Sequence, residues 1–203
     1  MNTRIGISNR HVHLTNEDVE ILFGKGYKLT PRNYLYQPGQ FATEEAVTLK
    51  TNKNIKEHVR IVGPTRSYIQ VEVLEEDKEY FGINPPVRNS KDLENSESMT
   101  IIGPKGEITK ENICIIANRH IHINTRDKGK LKEDDIVTVE VNSTILDNVH
   151  IKIDDSFKTE LHINKDDAIK HNITNESVAI VAASDILLSD GAFRLLNLCK
   201  SIL

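Results

Sequence analysis

Two His-x-His pairs are the residues of this chain whose type and spacing could do chemistry: His11-Val12-His13 and, 109 positions later, His120-Ile121-His122. Both sit inside one recurring phrase. Residues 7–15 read Ile-Ser-Asn-Arg-His-Val-His-Leu-Thr, and residues 116–124 read Ile-Ala-Asn-Arg-His-Ile-His-Ile-Asn. Alternate side chains of an extended strand share a face, so each imidazole pair can converge on one point. A single histidine pair on a strand is ordinarily a surface or hydrogen-bonded feature. Its recurrence within a repeated phrase predicts two related halves, each with a metal-binding corner.

A second alignment supplies a third ligand for each corner. Val59-Arg60-Ile61 through Val71-Glu72-Val73 lie without gaps over Val149-His150-Ile151 through Leu161-His162-Ile163, at an offset of 90. Glu72 then stands opposite His162, and the expected triads are His11, His13 and Glu72 in one half and His120, His122 and His162 in the other. Three protein ligands with one open position are the usual set of a catalytic zinc ion, whereas a closed structural site takes a fourth side chain. Imidazole and carboxylate favour zinc, two ions per chain, with manganese, cobalt and iron as alternatives. Comparing the two offsets gives the first half 19 extra residues, assigned to the loop Pro31 to Thr43 around the turn-forming Gln37-Pro38-Gly39-Gln40.

Arg66 follows the turn sequence Gly63-Pro64-Thr65 and precedes Glu72 by six residues. Guanidinium recognises phosphate through paired hydrogen bonds, so an anion contact beside the metal and an ordinary surface arginine fit this position equally. Lys53 and Arg60 could extend a basic lane, although solvated charge is the simpler reading of each. Arg10 and Arg119 recur next to the histidines, and both structural pairing and anion contact are open to them. Solvated surface is the default for His58, His150 and His171. Gly103-Pro104-Lys105-Gly106 lacks the spacing of a phosphate loop and reads as a hairpin turn. No Gly-x-Ser-x-Gly elbow or activated-cysteine setting occurs.

The elements that must position these residues are mostly short strands: Ala46–Leu49, Val59–Val62, Ile69–Val73, Ile113–Ala117, Ile136–Val141, Val149–Ile153 and Val178–Ala182. Thr15 and the acidic residues after it, then Val19, Ile21, Leu22 and Phe23, then Gly24, read as a short capped helix. A second helix is expected from about Ala192 to the end. Many short strands broken by Gly, Pro, Asn and Asp predict a mainly β chain of two related small β-barrel domains with short helical caps. The expected division is 1–95 and 96–203, with residues 84–98 as the crossover.

The 203 residues are 38% hydrophobic and carry a net charge of −4 with both signs interspersed, which argues against a nucleic-acid surface. Cys114 and Cys199 are far apart and belong to no paired spacing, as expected of reducing cytoplasm. A signal-peptide pattern and an apolar run of the ~20 residues needed to span a bilayer are both missing, so no membrane association is expected.

The chain resembles the PduL-type phosphate propanoyltransferases, which are metal-dependent phosphotransacylases. The resemblance runs from Ile5 to about Val181 through Ser-Asn-Arg-His-Val-His-Leu, Gln-Pro-Gly-Gln-Phe-Ala-Thr-Glu-Glu, Val-Arg-Ile-Val-Gly-Pro-Thr-Arg, Pro-Pro-Val-Arg-Asn-Ser-Lys-Asp-Leu-Glu and Asn-Arg-His-Ile-His-Ile. It implies two β-barrels, one zinc on each triad, and transfer of a short acyl group, propanoyl or acetyl, between coenzyme A and inorganic phosphate. It also implies phosphate binding and catalysis by Arg66, and coenzyme A contacts near Ile7, Ser8, Asn9, Lys53 and Arg60. The chain begins almost directly at the first motif, so free cytoplasmic enzyme is expected rather than association with a microcompartment shell. Residues 189–203 match no family motif and are expected to pack or to form a homodimer. The rival classes are a zinc-dependent thioester hydrolase and a noncatalytic metal-binding barrel.

Overall fold

A computed structural model describes residues 1–181; the expected C-terminal helix and Cys199 lie outside the described residues. In chain order the elements are β1 (Asn2–Ser8), β2 (His11–His13), α1 (Asn16–Phe23), β3 (Pro31–Tyr34), β4 (Phe41–Lys50), β5 (Ile55–Gly63), β6 (Gln70–Glu72), α2 (Glu75–Phe81) and β7 (Val87–Arg88). Then follow β8 (Glu97–Ile102), β9 (Glu107–Ala117), β10 (His120–Ile123), a 3-10 turn at Thr125–Asp127, β11 (Ile136–Val141), β12 (Thr144–Ile153), β13 (Glu160–Asn164), α3 (Lys165–Lys170) and β14 (Val178–Val181).

The strands close into two six-stranded barrels, as the mainly β reading expects. In one, β4, β5, β2, β6, β9 and β8 form a ring that β8 closes by pairing with both β4 and β9, and β3 and β7 extend it. In the other the ring is β1-β13-β10-β12-β11-β14. Each barrel has its own apolar core: Val12, Ile61, Val71, Ile101 and Ile116 belong to the first, and Ile5, Ile121, Ile151, Leu161 and Val181 to the second. Burying one such side chain stabilises the fold by roughly 1.5–3 kcal/mol.

The strand pairings do not follow the division expected near residue 95. The strand before each His-x-His motif enters the opposite barrel: β1 pairs with β13 and β14, whereas β9 pairs with β6 and β8. Residues 97–117 thus complete the first barrel, and residues 2–8 complete the second. The chain crosses between barrels at Asn9 and again at Asn118, immediately before the histidines, which draws both motifs to the junction.

Local chemistry sets the caps. Thr15 accepts from the Asp18 amide while the Asp18 carboxylate accepts from the Thr15 amide, forming a capping box on α1, and Gly24 with φ 113° ends it. The expected turn at 103–106 is present, with the Gly103 amide donating to Gly106 O at 2.9 Å between β8 and β9. Helices α2 and α3 escape the sequence reading because their apolar content is one or two residues each.

Candidate active site

The middle residue of each His-x-His motif locks its strand. Val12 and Ile121 are fully buried in their respective cores, so the flanking histidines face the other way, toward the junction. A one-residue slip would reverse this, which the buried face forbids. Beside them, β2 runs antiparallel to β6 with His11 opposite Glu72, and β10 runs antiparallel to β13 with His120 opposite His162.

Both expected triads assemble. The ligand atoms of His11, His13 and Glu72 lie within 4.8 Å of one another, as do those of His120, His122 and His162. In the first, the Nε2 atoms of His11 and His13 are 3.1 Å apart, and Glu72 oxygens lie 3.5 Å and 3.8 Å from them. Carbonyl oxygens hold the opposite nitrogens: Asn9 O meets His11 Nδ1 at 2.8 Å, Val62 O meets His13 Nδ1 at 3.0 Å, and Asn118 O meets His120 Nδ1 at 2.9 Å. Such contacts fix the tautomer and aim Nε2 inward.

These groups fit a divalent cation. Nearly buried His13 is held well below its ordinary pKa by desolvation and by the charges of His11 and Arg66. His120 is likewise pushed well down by desolvation, Lys152, His162 and His122, and His122 falls to about 2 through desolvation, His162, Lys152 and Arg66. Neutral imidazoles keep their lone pairs free for a metal. His122 Nδ1 and His162 Nε2 are also buried without a hydrogen-bond partner, a cost that a cation would remove.

The two triads open onto one cavity of about 990 Å³. Its wall includes Arg66, whose Nη1 donates to the Tyr68 hydroxyl at 2.9 Å and whose amide donates to Leu14 O at 2.8 Å. Arg66 depresses both His13 and His122, as expected of a cation between the triads. Ile7, Ser8, Asn9 and Arg60 line the same cavity. Arg60 is partly engaged, since Nη1 donates to Thr43 O at 3.0 Å and Glu44 O at 2.7 Å. Lys53 does not line it; it sits in the turn of the β4–β5 hairpin, and its ammonium donates to Glu79 O of α2 at 2.6 Å.

Arg10 and Arg119 prove to be structural pairs. Arg10 meets Asp77 of α2 at 2.8 Å, and Arg119 meets Asp167 of α3 at 2.7 Å. Lys152 and Glu160, which line the cavity, and Gln70 beside the ligands were not singled out by the sequence reading. Lys152 stands in register with His122, half-buried, and its ammonium is destabilised by desolvation and by Arg66 while Glu72 acts the other way. Gln70 and Glu160 are buried beside the ligands. The signal for these two was present: each lies two residues before a ligand on a strand and so shares its face.

Two β-barrels that set two triads of metal-ligand type and an arginine around one cavity describe the class of protein, and sequence comparison narrows it. Residues 4–174 match the family described as phosphate propanoyltransferase. The chain is 46% identical over 170 residues to the phosphate propanoyltransferase of Thermotoga maritima, covering 81% of each chain. It is 43% identical over 176 residues to that of Lachnoclostridium phytofermentans, covering 84% of this chain and 82% of the relative. With that of Rhodopseudomonas palustris the identity is 40% over 179 residues, 86% of this chain and 79% of the relative. The chain belongs to the phosphate propanoyltransferase family of acyltransferase enzymes. No helix among the described residues is long and apolar enough to cross a membrane.

Proposed function

We propose that the chain is a phosphotransacylase that moves a propanoyl or acetyl group reversibly between coenzyme A and inorganic phosphate, with one zinc ion on each triad. The observation that carries this reading is the convergence of both triads and Arg66 on one cavity. Cations bound at such sites would supply Lewis-acid charge to the thioester carbonyl and to the departing thiolate.

Within that reading Arg66 holds phosphate through its guanidinium and aligns an oxygen with the carbonyl carbon. The oxygen–carbon bond forms, the carbon–sulfur bond breaks, and the thiolate leaves with the electron pair. Arg66 and Lys152 offset the negative charge that builds on the way. Carbonyl contacts from Asn9, Val62 and Asn118 keep His11, His13 and His120 in one tautomer throughout. Ile7, Ser8, Asn9 and Arg60 are the proposed coenzyme A contacts; one from Lys53 requires the nucleotide end to pass the rim onto the β4–β5 hairpin. Phosphate attacks directly, so no side chain serves as a covalent nucleophile. We place the enzyme in the cytoplasm as a homodimer.

The test is release of thiol from propanoyl- and acetyl-coenzyme A with and without phosphate, before and after chelation. Phosphate-dependent, chelator-sensitive release with acyl phosphate as product is expected. Release independent of phosphate assigns a zinc thioester hydrolase instead, and bound zinc without release assigns a noncatalytic barrel.

A further inference from the structure

On each pair of motif strands the three ligands occupy three corners of a two-by-two patch, and the fourth corner is a buried polar residue. In the first barrel His11 faces Glu72 and His13 faces Gln70; in the second His120 faces His162 and His122 faces Glu160. Gln70 is fully buried and Glu160 is 3% exposed. Each sits two residues before the ligand whose identity differs between halves, and its own identity differs in the complementary sense.

Where the ligand is the carboxylate of Glu72, the corner residue is an amide, and Gln70 Nε2 donates to Glu72 Oε1 at 2.6 Å. The other end of that amide is fixed, since Gln70 Oε1 accepts from the Lys91 amide at 3.0 Å. Where the ligand is the imidazole of His162, the corner residue is a carboxylate, and Glu160 Oε2 lies 3.1 Å from His162 Nε2, off the line of a hydrogen bond. Glu160 is held from behind: Gln37 Nε2 donates to Oε2 at 3.0 Å, and Arg4 Nε stands 3.2 Å from Oε1.

We infer that Gln70 and Glu160 are paired supporting residues, each matched in polarity to the ligand beside it: an amide donor that orients Glu72, and a carboxylate that sets its charge beside His162 Nε2 and gives the all-histidine triad its negative charge. This rests on the reading of the triads as zinc sites. Groups that orient metal ligands typically change metal affinity 10–100-fold when removed. The structural alternative, that Glu160 is present only to tie Arg4 and Gln37 to β13, predicts no such effect.

The experiment is zinc stoichiometry and affinity, by competition with a chromogenic chelator, on the full-length enzyme. Glu160→Gln is expected to weaken one of two zinc ions about 10–100-fold and leave the other unchanged. Gln70→Leu should weaken the other ion instead. In a His162→Glu background the sign should reverse, because Glu160→Gln then recreates the amide–carboxylate pair of the first barrel and should tighten the weakened ion. Arg4→Gln, which removes the ion pair on Oε1 but leaves Oε2, should keep both affinities within about threefold. Two ions retained at wild-type affinity in Glu160→Gln, or an Arg4→Gln loss equal to that of Glu160→Gln, would overturn the inference. Thiol release by wild-type enzyme is measured separately, so a second zinc without transacylase activity rejects only the functional reading, and a wild-type enzyme with no second zinc rejects the inference itself.

Discussion

Arg10 sets its guanidinium against Asp77, with Nε 2.8 Å from one carboxylate oxygen and 3.0 Å from the other, and Asp77 is fully buried. Asp77 also accepts from the Leu74 amide at 2.9 Å, capping α2. The pair therefore ties the residue before the first histidine to the helix after β6. Asp77→Ala is expected to destabilise the protein by about 3 kcal/mol, because it removes the buried carboxylate shared by Arg10, Lys56 and a helix terminus. Arg119→Ala, at the more exposed pair with Asp167, should cost roughly 1 kcal/mol. The midpoint of urea unfolding measures both, and equal losses would contradict the difference in burial.

Arg66→Ala should lower phosphate-dependent thiol release by about 10²–10³-fold, the scale seen when one charge-stabilising donor is removed. Bound zinc, measured by metal analysis, should stay at the wild-type level because Arg66 is not a ligand. Arg66→Lys should recover only part of the rate, since an ammonium cannot offer the paired hydrogen bonds of a guanidinium.

Chelation should abolish thiol release and lower the melting temperature, with zinc restoring both, because an ion bound only by the folded state stabilises it. His11→Ala and His120→Ala should each remove one ion. Unchanged metal content in either variant removes that histidine from its ligand set.

Acidification should destabilise the chelated protein. His13, His120 and His122 have folded pKa values below the ordinary 6.5, so the unfolded chain binds protons that the folded chain refuses. Their contribution to stability is complete above pH 6.5 and is lost as pH falls from there toward about 2, the value reached by His122. Urea midpoints between pH 8 and pH 4 measure this slope, and zinc should dissociate over the same range. In His122→Gln the slope should be shallower.

The convergence of the four motif histidines was legible because a β-strand has period two and the residues flanking Val12 and Ile121 share one face, and Glu72 and His162 followed from aligning the two halves. Strand positions at Ile136–Val141 and around Val59–Val62 followed from apolar patterning, and α1 followed from its Thr15 cap and Gly24 stop. Lys53 was expected to extend a basic lane with Arg60, yet it sits in the turn of the β4–β5 hairpin with its ammonium on Glu79 O, while Arg60 on β5 lines the cavity. Arg10 and Arg119 were ambiguous because their partners, Asp77 and Asp167, lie 67 and 48 residues away.

By itself the sequence determined which residues face together along each strand, since that is a local property of the extended backbone and of which side chains avoid water. Which strands become neighbours was decided only by tertiary structure. Strand partners are chosen by hydrogen bonds and core fit between segments far apart in the chain, and period-two patterning is the same whichever barrel a strand joins. Hence the exchange of β1 and β9, the meeting of two triads at one cavity, and the placing of Gln70 and Glu160 at the fourth corners emerge only when the chain is folded.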